Sequence, residues 1–195
     1  MIDRDNLYTG LSHAKWGYVF LTFNLLIGPV NLLPQFWGFL LLYFSLNRLK
    51  EERRDLRLLR PLCLLLTAYF LADWLLSWQK GTIAGRLPLL DLLIFAATIY
   101  VHFQFLSDMA ALAERYQPLD RALDGSFRIC RNVFVVGRTL LELLMDVSGV
   151  FADETVQIYI LLTSLLPLLI PELLIIRGLH TLRAYVLDAP RELFD

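Results

Sequence analysis

Residues 16–46 read WGYVFLTFNLLIGPVNLLPQFWGFLLLYFSL, 31 residues without a charge. As a single helix the run would measure about 46 Å at 1.5 Å per residue, against a bilayer hydrocarbon core of about 30 Å. It has to break. Gly28-Pro29 and Pro34 stand near its middle, and proline removes a backbone donor and ends or kinks a helix. The reading is a tight hairpin of two short helices, 15–27 and 34–46. Each falls below the roughly 17 residues that normally span, so two arrangements fit: a pair of short crossings, or a re-entrant loop in a locally thinned bilayer. A secretory leader is not expected, because large residues (Leu33, Gln35, Phe36, Trp37) stand where small cleavage-site residues belong.

Four more apolar segments follow at 61–78, 87–106, 127–151 and 156–176, separated by polar or charged stretches. The whole chain is 57% hydrophobic and 19% charged, with a mean hydropathy of +0.55, where soluble domains hold about 45–50% apolar and about 25% charged residues. Apolar runs of this length exceed what the core of 195 residues absorbs, which excludes a soluble enzyme. The fold class is all-α: one integral membrane domain over residues 1–195, a bundle of about six transmembrane helices. Eighteen basic and nineteen acidic residues leave a net charge of -1, so nothing points to a nucleic-acid partner. Basic residues near helix ends stay in the cytoplasm. With the amino terminus inside, fifteen of them fall on the cytoplasmic side, Lys80 and Arg86 fall outside, and Arg138 is left within the membrane. Both termini are therefore expected in the cytoplasm, in a cell membrane crossed several times.

The segment Asn31-Leu32-Leu33-Pro34-Gln35-Phe36-Trp37-Gly38-Phe39, followed by Leu46-Asn47-Arg48-Leu49 and then charges, resembles the amino-terminal half of a group of small multi-pass membrane proteins from Gram-positive bacteria that carry no assigned function. The likeness covers about residues 14–60, and Trp37 replaces the aliphatic residue usual before that glycine. It implies a bacterial inner-membrane helical protein and brings no catalytic residue with it.

Enzyme constellations are absent. His13, His102 and His180 never pair at i, i+4, so no helix-borne zinc site exists, and there is no glycine-rich phosphate loop. Cys63 and Cys130 have neither disulfide-framework nor zinc spacing and read as packing residues. Glu51-Glu52 lacks the arginine and histidine pattern of membrane-embedded prenyl-protein proteases. No catalytic residue, metal or cofactor is expected. The stretch 48–60 holds six basic and three acidic residues beside the membrane, a composition that attracts anionic headgroups at about 1 kcal/mol per basic residue. Arg53, Arg54 and Arg57 are the expected lipid contacts. Asp91 reads as a helix-start carboxylate complementing the helix dipole, and His102 as a packed, hydrogen-bonded side chain. Pro167 and Pro171 should kink the last segment.

Polar residues on the fifth segment decide the functional expectation. At 100° per residue from Arg131, Arg138 lies at about -20° and Glu142 at about 20°, and Arg128, Asp146, Thr139 and Asn132 follow within an arc of about 120°. Either the helix lies flat in the interface, or it spans and turns this stripe into the bundle. Spanning is the preferred reading, because a flat helix would carry Arg177, Arg183 and Arg191 outside. Arg138 then lies about 15 Å deep and Glu142 about 21 Å, level with Asn24 and Asp73. An arginine there costs at least about 2.5–3.5 kcal/mol on insertion scales, so pairing with Glu142 or Asp73 is expected. Arg138, Glu142, Asp73, Arg131 and Asn24 are the candidate residues for a small solute, anionic or zwitterionic. The functional expectation is a non-enzymatic membrane protein that binds or moves such a solute, or an accessory subunit assembling with lipids and with a partner subunit or second copy. The rival is an intramembrane enzyme using Asp73, Glu142 or His102 on a lipid-like substrate.

Overall fold

The computed structural model describes residues 4–23, 26–27, 30–31, 34–50, 56–78, 83, 86–118, 120–148 and 154–190. Six helices run in order: α1 Arg4–Thr22, α2 Gln35–Leu49, α3 Leu56–Ser77, α4 Pro88–Tyr116, α5 Leu123–Ser148 and α6 Glu154–Asp188. Between α1 and α2 two short strands, β1 Leu26–Ile27 and β2 Val30–Asn31, pair antiparallel with Ile27 opposite Val30. The fold is all-helical apart from this pairing.

Helix boundaries depart from the apolar runs for one physical reason. α1 begins eleven residues before Lys15 because Leu7, Leu11, Ala14 and Tyr18, spaced for one helical face, are all buried. It stops at Thr22 rather than at 27, where the β pairing takes over the chain. α4 continues past Leu106 to Tyr116, since Met109, Leu112, Ala113 and Tyr116 keep the same face buried while Asp108, Glu114 and Arg115 interrupt the hydropathy. α6 likewise runs past Ile176, carried by Leu179, Leu182 and Val186. It is an unbroken helix of 35 residues, with Pro167 and Pro171 inside it.

Each helix packs antiparallel on the next, and α6 returns to α1. On α2 and α3, Phe39 stacks on Phe70 at 5.3 Å while Arg60 reaches the Tyr43 hydroxyl. On α4 and α5, His102 meets Phe134 at 4.6 Å and Glu114 pairs with Arg128 at 3.0 Å. The Arg4 Nε donates to the Val186 carbonyl and Arg183 to the Ser12 hydroxyl, which closes the ring. The start of α1 and the end of α6 thus lie at one end of the bundle, and the β pairing lies at the other. α1 and α2 approach most tightly: a Cβ on Gly17 would stand 3.0 Å from the Gly38 carbonyl oxygen, and one on Gly38 3.0 Å from that of Gly17. Such backbone contact between helices needs residues without side chains.

The terminus half is filled by apolar side chains. Leu11, Leu46, Leu49, Leu56, Leu59, Leu106 and Met109 are fully buried there. Outward, the bundle exposes large hydrophobic residues, among them Leu64, Leu75, Leu93, Val136, Leu140, Leu143 and Leu173. Among the described residues two helices, over Leu58–Ser77 and Pro88–Tyr116, are long and apolar enough to cross a membrane.

Candidate functional site

In the hairpin half the six helices enclose an open cavity of about 610 Å³, and each contributes a side chain to its wall. Its floor is formed by Tyr18 on α1, Phe39 on α2, Phe70 on α3, His102 on α4 and Phe134 on α5, and Glu172 on α6 stands on the wall near Arg138. Toward the mouth lie Gln35, Asp73, Asp91 and Glu142. From Asp91 to His102 the wall descends about 16 Å along α4.

The floor is aromatic. His102, 4% exposed, shares a hydrogen bond of 3.1 Å between its Nδ1 and the Tyr18 hydroxyl. Phe134 lies against one side of its ring, and Tyr18 and Phe39 approach edge-on at 5.4 and 6.2 Å. These contacts fix the imidazole, in keeping with a packed histidine.

Above the floor stand the charges. Tyr69 donates from its hydroxyl to Asp91 Oδ1 at 3.1 Å, across the α3–α4 seam. Asp73, one turn further along α3, accepts the Ile83 backbone N–H at 2.7 Å. On the opposite wall Arg138 is near enough to Glu172 and His102 to act on both electrostatically. Among the described residues Arg138 forms no ion pair within 4 Å, so the expected pairing with Glu142 or Asp73 is not made. The reason is that the cavity mouth is open: Arg138 and Glu142 are both exposed. Among the described residues Asp73, Asp91, Glu142, Glu172 and Arg138 are the charged side chains of the lining.

Of the five residues singled out for a solute, Arg138, Glu142 and Asp73 face this one cavity. Arg131 does not. Two turns nearer the terminus end, its guanidinium lies over the Phe103 ring at 4.5 Å and donates to the Ser107 hydroxyl at 2.9 Å. Asn24, Arg53 and Arg54 lie outside the described residues, and of Arg57 only the helical backbone, in the first turn of α3, is described. Asp91 opens α4 as expected and also lines the cavity, a place that sequence reasoning missed along with Tyr69; His102 was named there only for the rival enzyme. A signal existed: Asp91, Thr98 and His102 lie at about 0°, -20° and 20° on a helical wheel, one polar stripe within an apolar helix.

Among the described residues no serine or cysteine lines the cavity; Cys63 and Cys130 are buried in the packed core. Among the described residues no group of three His, Cys, Asp or Glu is placed to hold a metal ion. No known protein family, curated protein or solved structure matches the chain.

Proposed function

We propose that the chain is an integral membrane protein whose six helices all cross the bilayer, with both termini cytoplasmic, and that its cavity is a solute-binding vestibule open to the opposite side. One observation carries the reading: the polar and charged side chains of α3, α4, α5 and α6 converge on one internal cavity, while the outward faces of these helices present leucine, isoleucine and valine. That is the inside-out distribution a bilayer demands, because ionisable groups in a membrane face the bundle interior or a water-filled space. Basic residues support the orientation. Arg4, Arg48, Lys50, Arg115, Arg121 and Arg183 belong to the terminus end, which the positive-inside bias assigns to the cytoplasm. The spanning alternative for α5 is favoured for the same reason: Arg138 and Glu142 turn inward while Val136, Leu140 and Leu143 turn outward.

The test is cysteine labelling in intact cells. Cysteines replacing Thr82 and Glu142 should react with a membrane-impermeant maleimide added outside, and one replacing Leu46 should not. The native thiols, 0% and 5% exposed, should stay silent. Reaction at the Glu142 site only after permeabilisation would reverse the orientation, and equal reaction at the Leu46 site would remove the vestibule.

A further inference from the structure

We infer that the outer seam between α4 and α5 is a phospholipid site, in which one acyl chain lies along an apolar groove and the phosphodiester sits on Arg131. The step uses the membrane assignment above and is independent of the vestibule. The groove has a volume of about 490 Å³, and Leu92, Ala96, Ile99 and Phe103 of α4 line it with Val135 and Thr139 of α5. Leu92 and Phe103 are 62% and 39% exposed, so it opens outward. On a helical wheel from Asp91, the groove residues Leu92, Ile99 and Phe103 lie at about 100°, 80° and 120°. That face is about a quarter turn from the cavity stripe of Asp91, Thr98 and His102, although Leu92 and Phe95 line both spaces.

Length and surroundings select the occupant of the groove. From Leu92 to Phe103 it runs about 16 Å along α4, close to one leaflet's half of a hydrocarbon core about 30 Å thick. An apolar hollow that faces hydrocarbon takes up an acyl chain, because its walls lose their dispersion contacts when it is empty.

Charge selects the rest of the molecule. Phe103 stands at the end of the groove nearer the chain termini, and the Arg131 guanidinium lies over its ring at 4.5 Å. Arg131 lies one turn beyond Val135 toward that end, the side assigned to the cytoplasm. Its Nη1 donates to the Ser107 hydroxyl at 2.9 Å and its Nε to the Asn132 side-chain oxygen at 3.0 Å. A guanidinium has five N–H donors, so three remain after these two. Among the described residues no carboxylate is paired with it within 4 Å. Arg128, by contrast, is taken by Glu114 at 3.0 Å and by Asp124 at 3.6 Å. Ring and hydroxyl therefore hold a planar cation at the mouth of an apolar channel. A phosphodiester matches it, because phosphate oxygens accept paired N–H groups from the planar fork of a guanidinium. In a bilayer the phosphodiester brings the acyl chain with it.

The test titrates the delipidated full chain in detergent with three probes and reads the bound mass by native mass spectrometry. Dioleoyl phosphatidylglycerol carries both parts, dioleoylglycerol the chains without phosphate, and glycerophosphate the phosphate without chains. The phosphatidylglycerol should be retained saturably, and the other two should not. Arg131→Gln should weaken it about tenfold, the worth of a hydrogen bond to a charged group. Ala96→Trp, which fills the groove from an exposed position, should weaken it by a similar factor. Equal retention of dioleoylglycerol would remove the role of Arg131 and overturn the inference, and equal retention of glycerophosphate would make the site one for free phosphate and overturn it as well. Retention of phosphatidylglycerol that neither substitution changes would place the lipid elsewhere, with the same consequence, as would no saturable retention at all. A dimer that forms without lipid and dissociates in Ala96→Trp would mark the groove as an interface between copies and also overturn it. Each of these results leaves the labelling of the Glu142 cysteine, and with it the vestibule, to stand or fall separately.

Discussion

Along α4 a single inward stripe passes through both halves of the bundle. In the terminus half it reads Met109, Leu112, Ala113 and Tyr116, all buried in the apolar core. In the hairpin half the same stripe reads Asp91, Thr98 and His102 and borders a cavity. The six helices are continuous from one half to the other, so the backbone architecture does not make the difference. Side-chain volume and polarity do: leucine side chains interdigitate and exclude space, whereas short carboxylates and rings in edge contact leave it. One half is packed by apolar side chains, and the other borders a cavity lined by polar ones.

Substitutions that sharpen this contrast differ most in stability. Leu46→Ala, in the filled half, removes a side chain that is 0% exposed and should lower unfolding stability in detergent by about 2–5 kcal/mol, read as a drop in melting temperature. Gly38→Ala comes next. Its new Cβ would stand 2.5 Å from Leu21 Cγ and 3.0 Å from the Gly17 carbonyl, and overpacking of this kind costs about 1–3 kcal/mol. Gln117→Ala follows at about 1 kcal/mol, the usual worth of a helix cap. The Gln117 side-chain oxygen accepts the Leu123 and Asp124 backbone N–H groups at the start of α5. Glu142→Gln, in the hollow half, should leave stability within about 0.5 kcal/mol of the parent. A melting-temperature loss for it as large as that for Leu46→Ala would break the contrast.

The smallest effect is one of pH, at the same α4–α5 turn. Gln117 donates to Asp124 Oδ1 at 2.9 Å, and this hydrogen bond holds the carboxyl below its ordinary value of 3.8. The native state therefore prefers the ionised form. Its contribution is present above the unfolded value and is lost as pH falls through the folded one. Thermal scans below about pH 4 should show a slightly steeper loss for the parent than for Asp124→Asn, in which that preference is gone.

Much of this was legible in the sequence, and the rest was hidden for identifiable reasons. Six helices follow from apolar runs and their breaks, but their ends do not. At Leu7 and Leu11, and again at Met109 and Leu112, buried residues stand near polar and charged ones that lower the local hydropathy. The stripe on the fifth segment correctly brought Arg138 and Glu142 to one face. Arg131 shares that face yet serves the α4 contact through Phe103 and Ser107, because a helical wheel gives direction and carries no depth. The cavity starts only at Phe134. Asp91 was masked by its second role at a helix start, and the contribution of Glu172 depends on which helix α6 meets, a tertiary fact no local pattern contains.

Accessibility along α5 tests the central claim most directly. Nitroxide labels at Val136, Arg138, Leu140, Glu142 and Leu143, in the full chain reconstituted in bilayers, are read by their relaxation with oxygen, which concentrates in lipid, and with a water-soluble nickel chelate. The account expects Arg138 and Glu142 to respond to nickel, and Val136, Leu140 and Leu143 to respond to oxygen with a depth that increases from Leu143 toward Val136. Uniform shallow depth across all five sites, as a helix lying flat in the interface would give, would contradict it.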